Sequence, residues 1–176
     1  GATASAEVTI NVNESGPSAI QGGTTPDILR GTPEGQIIQG GGSRDRILAG
    51  AGDDQILGGE GRDAIQAGPG DDVIDGGPGF DFLFGGSGED LFVFRNADAP
   101  DSVRNFEVGT DQVGLMFPEL MTSDGRIAGE QVRGETTGDD LEVQVDLDGS
   151  GNFQTVVNLS GVGGNNLDDV LTNAVA

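Results

Sequence analysis

From Gly22 to Val93 the apolar residues keep a beat of nine. Leu29, Ile38, Ile47, Ile56, Ile65, Ile74, Leu83 and Phe92 follow one another at that spacing with no insertion or deletion. Each is the middle of a three-residue stretch, and six residues rich in Gly and Asp separate one stretch from the next. A period of nine belongs to neither an isolated helix nor an isolated strand; it marks a repeated supersecondary unit. In a three-residue strand the middle side chain points opposite to its neighbours. The eighth position of each block is therefore predicted to point inward, and the seventh and ninth outward. Two turns and two short strands make one coil of 18 residues. Successive coils stack as parallel strands ~4.8 Å apart, so four coils rise ~19 Å. The predicted fold is all-β, a parallel β-roll of eight nonapeptides over residues 22–93, capped by a β-rich region over 94–176.

The polar columns are as regular as the apolar one. The sixth position is Asp27, Asp45, Asp54, Asp63, Asp72, Asp81 and Asp90, with Gln36 the one exception. The second position is Gly in every block except at Thr32, and the fourth is Gly in the last five blocks. Thr25, Glu34 and Ser43 hold the fourth position in the first three.

Composition then changes the picture. The chain has 176 residues, 30 acidic and 8 basic side chains, and a formal charge of −22. All the basic residues are Arg; Lys, His, Cys, Trp and Tyr are absent. That excludes His- or Cys-ligated zinc, a Ser-His-Asp triad, a Cys or Lys nucleophile, haem ligation by His, and disulfides. So acidic a chain repels phosphate backbones, and nucleic acid is not an expected partner. No apolar run is long enough to span a bilayer, and the first residues lack a signal-peptide pattern. High acidity with few aromatics ordinarily means disorder. Eight inward side chains are also a thin return for ordering eight blocks. Cations that complete the fold resolve both difficulties. On the coil geometry, Asp residues 18 apart lie one above the other: Asp27/Asp45, Asp45/Asp63, Asp54/Asp72, Asp63/Asp81 and Asp72/Asp90. Stacked carboxylates repel unless a hard divalent cation lies between them, and calcium takes such oxygen ligands. About five ions are expected, with the Gln36/Asp54 pair incomplete.

These blocks resemble G-G-x-G-x-D-x-U-x, the calcium-binding nonapeptide of RTX (repeats-in-toxin) proteins. The resemblance implies a calcium-filled β-roll. It also implies that turn carbonyls complete the coordination, here including those of Gly50, Gly52, Gly59, Gly61, Gly68, Gly70, Gly77 and Gly79.

The flanks are not repetitive. Residues 1–13 contain the alternating Val8-Thr9-Ile10-Asn11-Val12, which reads either as the terminal strand of a preceding β-sandwich repeat or as an edge strand of the C-terminal sheet. Residues 14–21 read as a linker. Phe82, Phe84, Leu91 and Val93 put apolar side chains at outward positions of the last two blocks, so the C-terminal region is predicted to pack over them and close the roll. Residues 101–117 read as strand, turn, strand; strands are expected near 141–147 and 153–159. Apolar spacing over 167–175, with Asn166 as cap, predicts a final helix. Phe92-Val93-Phe94, Asp101 to Phe106, Gly109, Asp111 and Val145 to Gly151 resemble the C-terminal target region of type I secreted RTX proteins. That resemblance implies an uncleaved secretion signal near the C-terminus. It implies partners in the inner-membrane ABC transporter and outer-membrane channel, and a protein secreted to the cell surface of a Gram-negative bacterium.

Several acidic residues admit a plainer reading. Asp146 to Gly151 resembles the start of an EF-hand loop, but Val157 stands where the bidentate Glu belongs, which favours a simple turn. Asp98 and Asp101 could join Asp81 in a last site; solvated loop acids are the favoured reading. Asp53 and Asp71 are expected to face solvent, and Asp75 to be a surface residue. Paired carboxylates also suggest a glycosidase or polysaccharide lyase, yet the Asp residues form a ladder with no distinguished pair, so no enzyme activity is expected. The expected function is a calcium-dependent folding module at the C-terminus of an RTX adhesin, monomeric, without membrane insertion. The alternative is the same module appended to a secreted protease or epimerase.

Overall fold

The computed structural model describes residues 18–120, 131–165 and 167–171. The alternating segment at 8–12 and the Asn166 cap lie outside these residues.

The nine-residue beat produces short parallel strands that alternate between two sheets. The first sheet stacks β1 (Ser18–Gln21), β3 (Gln36–Gly42), β5 (Gln55–Glu60), β7 (Val73–Asp75), β9 (Leu91–Phe94) and β11 (Gln112–Leu115). The second stacks β2 (Ile28–Arg30), β4 (Arg46–Leu48), β6 (Ala64–Pro69), β8 (Phe82–Ser87) and β10 (Asp101–Arg104). A meander of β12 (Val132–Thr137), β13 (Asp140–Val145) and β14 (Gln154–Leu159) extends the second sheet, with β14 parallel to β10. The fold is a parallel β-solenoid of about five turns with very little helix.

Register follows the repeat: Ile38 pairs with Ile56 and Ile56 with Ile74, while Leu29 pairs with Ile47 and Ile65 with Leu83. All eight inward residues are buried, at 3% exposure or less. Each eighth-position side chain therefore meets its equivalents above and below, and among the described residues they join an apolar cluster that continues through Val103 and Val113 into the C-terminal meander.

Stacking runs past the nonapeptides at both ends. Residues 18–21, within the segment read as a linker, form β1 and set Ile20 on Ile38. At the other end Val103 pairs with Leu83 and Val113 with Phe92, although the spacing has lengthened to 20 and 21 residues. The strand-turn-strand expected over 101–117 is thus not a hairpin: β10 and β11 belong to different sheets.

The roll is closed by strand addition rather than by a lid over its outer face. Of the four outward apolar residues only Val93 is fully covered, and Phe84 remains 38% exposed. Phe82 is flanked by the guanidiniums of Arg62 and Arg104, 5.0 and 5.9 Å from its ring. The final apolar segment makes a single 3₁₀ turn at Leu167–Asp169. The N–H of Leu171 donates back to the Leu167 carbonyl at 3.0 Å, the N–H of Val113 on the sheet edge donates to the carbonyl of Val170 at 2.9 Å, and the rest of the expected helix, 172–175, lies outside the described residues.

Candidate metal centre

Seven Asp residues expected as ligands, Asp27, Asp45, Asp54, Asp63, Asp72, Asp81 and Asp90, are all buried, at 5% exposure or less. Each follows a Gly-rich turn and stands two residues before an inward apolar side chain, so burial of the latter draws the carboxylate in with it. One oxygen is fixed by the backbone. The N–H of Asp27 donates to Asp45 Oδ1 at 2.8 Å, Asp45 to Asp63 at 2.7 Å, and Asp63 to Asp81 at 2.7 Å. On the other side Gln36 donates to Asp54 at 2.7 Å, Asp54 to Asp72 at 2.8 Å, and Asp72 to Asp90 at 3.1 Å. Every interior carboxylate is thereby tied to the coil before it.

The second oxygen is a different matter. Oδ2 of Asp45, Asp54, Asp63, Asp72, Asp81 and Asp90 is buried and has no hydrogen-bond partner. A buried carboxylate oxygen without a partner is costly, and the same defect recurs on successive coils. Burial is the leading cause of the carboxyl shifts that result. Asp63 and Asp90 are pushed up to about 6, and Asp72 and Asp81 to about 7, with neighbouring carboxylates adding to the rise and the backbone hydrogen bonds opposing it. Asp45 and Asp54 are raised for the same leading reason.

These residues fit calcium. A cation supplies the positive charge that the orphaned oxygens lack. Among the described residues no three acidic side chains gather at one point, so carboxylates alone do not make a cage, and the remaining ligands fall to backbone oxygens. The turns present them. Gly50, Gly52, Gly59, Gly61, Gly68, Gly70, Gly77 and Gly79 all have positive φ. A Cβ on Gly59 would lie 2.0 Å from the carbonyl oxygen of Gly41, and one on Gly79 would lie 1.6 Å from that of Gly61. The glycines thus let carbonyls of one coil press directly on the turn of the next. Ser43 adopts the same left-handed φ, +89°, at a fourth position that is Gly in later blocks.

Three features escaped the sequence reading. The first column is Gly or Ala in all eight blocks, and at its glycines the space is tight: Asp81 Oδ2 lies 2.4 Å from where a Cβ on Gly76 would stand, and the Gly76 carbonyl oxygen 2.4 Å from one on Gly58. Asp101 and Asp111 continue the ladder, since the N–H of Asp81 donates to Asp101 Oδ1 at 2.8 Å and that of Asp90 to Asp111 Oδ1 at 3.2 Å. Their signal was present as Asp-x-Val, the D-x-U core of the nonapeptide, at Asp101-Ser-Val103 and Asp111-Gln-Val113. Asp101 is therefore a buried stacking residue, not the solvated loop acid favoured above; Asp98 is exposed. Third, Asp75 is buried rather than superficial: it pairs with Arg95 and accepts the N–H of Gly77 at 3.1 Å.

Other expectations hold in place. Asp53 and Asp71 face solvent, each accepting an N–H from the fifth position 18 residues on. Gln36 occupies the sixth position of its block and its Oε1 accepts the N–H of Thr32 at 2.8 Å. Asp146 to Gly151 is a turn joining β13 to β14, with Asp146 accepting the N–H groups of Ser150 and Gly151.

The family described as RTX calcium-binding nonapeptide repeat (4 copies) matches residues 30–65 and 66–94. The chain therefore carries RTX calcium-binding repeats, and Asp45, Asp54, Asp63, Asp72, Asp81 and Asp90 of the buried ladder lie within the matched residues. Two solved subunits of the Azotobacter vinelandii mannuronan C5-epimerase are similar in structure. AlgE6R3 shares 23% identity with a TM-score of 0.46, over 97% of this chain and 90% of that one. AlgE6R2 shares 24% identity with a TM-score of 0.48, over 93% and 98%. The extracellular lipase LipA from Serratia marcescens matches at 15% identity and a TM-score of 0.39, over 92% of this chain and 40% of the lipase. Comparison with curated proteins finds no match.

Proposed function

We propose that this chain is a calcium-dependent folding module, with Asp27, Asp45, Asp54, Asp63, Asp72, Asp81 and Asp90 as carboxylate ligands and the turn glycines as carbonyl ligands. One observation carries the reading: six buried carboxylate oxygens, one per block, have no partner within the protein. Calcium, when bound, supplies the compensating charge. The chain's own part is to hold each Oδ1 by an N–H of the preceding coil and leave Oδ2 facing its turn. Where calcium is scarce, the ladder's desolvation and mutual repulsion oppose folding; where it is abundant, binding energy becomes folding energy.

That switch suits export. A chain kept unfolded inside the cell can thread a type I channel and fold outside. In this reading the C-terminal region carries the address, the protein is secreted and monomeric, and the module catalyses nothing. The resemblance of the C-terminal residues to type I target regions, together with the strand-like segment at 8–12, supports its placement at the end of a cell-surface RTX adhesin of a Gram-negative bacterium. Expression of the full chain in a Gram-negative host tests the export claim. The chain should reach the medium only when a type I exporter is present. Retention in the presence of the exporter, or release without it, contradicts the proposal. Sequence upstream of Gly1 separates the adhesin, with tandem β-sandwich repeats, from a secreted enzyme, with a catalytic domain.

A further inference from the structure

The fold sorts the chain's few cations. Five of the Arg residues, Arg30, Arg44, Arg46, Arg62 and Arg104, stand on or beside the outer face of the second sheet. Arg46 holds a seventh position and Arg30 a ninth, both turned away from the core, and Arg104 pairs in register with the outward Phe84. Arg44 and Arg62 precede by two residues the outward side chains that open β4 and β6. All five are exposed. No seventh or ninth position on this sheet is acidic, although the chain has 30 acidic residues against 8 basic ones. The first sheet carries no Arg at its outward positions.

These guanidiniums are not spent within the protein. Among the described residues the ion pairs join Arg95 to Asp75 and Arg133 to Glu135, and neither belongs to this group. Arg62 and Arg104 lie 5.0 and 5.9 Å from the Phe82 ring, and Arg62 lies 5.2 Å from Phe80. Stacking on a ring holds a guanidinium in place and leaves its N–H edge open to an anion.

The patch is broad in both directions. Four coil steps from β2 to β10 span ~19 Å, and the fifth to the ninth position spans ~13 Å. Apolar side chains stand among the cations: Ile28 is 44% exposed and Phe84 38%. A linear polyanion needs only a line of cations. A field of Arg interspersed with exposed aliphatic and aromatic groups instead has the composition of a surface that rests on lipid, where Arg takes phosphate and apolar groups enter the headgroup layer. The ladder carboxylates are buried, and charges on the far side of the roll are screened beyond ~8 Å at physiological salt. The face turns acidic only in the meander, where Glu142 pairs in register with Glu135.

We propose that the outer face of the second sheet, over the roll, docks on an anionic, phosphate-bearing lipid surface. Arg30, Arg44, Arg46, Arg62 and Arg104 supply the charge, and Ile28 and Phe84 the apolar contact. The contact is peripheral and uses no residue of the Asp ladder, so it adds a binding role to the folding role.

The test is co-sedimentation of the full chain with phosphatidylcholine vesicles, with and without phosphatidylglycerol, at calcium that gives the full β signal by circular dichroism. Wild type should bind only the phosphatidylglycerol vesicles, and more weakly as salt rises. Each Arg removed should weaken binding about five-fold, so the triple variant Arg46→Gln/Arg62→Gln/Arg104→Gln should lose roughly 100-fold. Phe84→Ser should lose ~3-fold or more, and Arg133→Gln, at the acidic end of the face, should bind as wild type does. If the triple variant loses β signal, Arg30→Gln/Arg46→Gln replaces it, with a loss of roughly 25-fold. Absence of wild-type binding overturns the proposal, even if a soluble carboxylated polysaccharide is bound instead. Equal binding by the Arg variants overturns it too, because calcium bridging of acids to lipid would then explain the contact. A loss in Arg133→Gln as large as that for a face Arg would make net charge, not this face, the cause. An unchanged Phe84→Ser would mean a purely ionic contact and would overturn the interfacial docking. Since every variant is compared in its folded, calcium-loaded state, none of these failures touches the ladder.

Discussion

Replacing Asp72 by Asn should move stability in opposite directions with and without calcium. Asn keeps the shape and retains an oxygen to accept the N–H of Asp54, which donates at 2.8 Å. What it removes is the charge on a residue that is 1% exposed and whose Oδ2 has no partner. In the calcium-free protein that charge is a burden: burial, then the nearby carboxylates, push Asp72 up to about 7. At pH 8 the variant should therefore hold its β structure without calcium at least as well as wild type. With calcium the sign reverses, because Asp72 is shared between the Asp54 and Asp90 steps of the ladder. A charge-assisted contact contributes ~1.5–3 kcal/mol, so two weakened sites lose ~3–6 kcal/mol. Spread over about five ions that bind as a unit, the loss multiplies the calcium midpoint for folding by ~3–8. Far-UV circular dichroism against free calcium reads both effects. An unchanged midpoint, or a calcium-free variant less folded than wild type, refutes the reasoning.

Acid should partly replace calcium. The folded carboxyls of Asp63, Asp90, Asp72, Asp81 and Asp101 lie at about 6 to 8, against 3.8 for the unfolded chain. The folded state thus binds more protons in between, and this contribution is full below about pH 4 and lost as pH rises through 6 to 8. Calcium-free protein should show more β signal at pH 5 than at pH 8, and the reverse order would contradict the burial argument. Ser43→Gly removes a left-handed serine at φ +89°; relief of ~1–2 kcal/mol, less the added unfolded-state entropy, should leave ~0.5–1 kcal/mol of stabilisation in urea at saturating calcium. Ile65→Ala, at a side chain 1% exposed between Ile47 and Leu83, should cost ~2–5 kcal/mol in the same assay. A cost below ~1 kcal/mol would mean that the inward column is not a packed core.

The roll was legible because its period is strict. Once Leu29 to Phe92 are spaced by nine, strand direction, inward column and Asp column all follow. The ends were harder. At Asp101 and Asp111 the ladder survives but the spacing becomes 20 and 21, because the intervening loops lengthen while backbone pairing still sets the register. A reading tied to nine loses the trail there, although the local Asp-x-Val persists. Asp75 was misjudged because its partner, Arg95, comes from the coil after it, a contact no repeat column encodes. The division of labour within each carboxylate was also hidden. Stacked Asp residues look like pairs awaiting an ion, whereas one oxygen already serves the backbone and only the other is left over. Of the final helix expected over 167–175 only 167–171 lie among the described residues; they form a single 3₁₀ turn whose Val170 carbonyl accepts the N–H of Val113 at the sheet edge.

The central claim is that the ladder needs calcium to fold. Far-UV circular dichroism of chelator-treated protein at pH 7.5, titrated with calcium, tests it most directly, and the lack of Trp and Tyr makes intrinsic fluorescence a poor substitute. The account predicts a largely unfolded spectrum without the ion and a cooperative gain of β signal as calcium rises. A full β spectrum in chelator, unchanged by calcium, would contradict it.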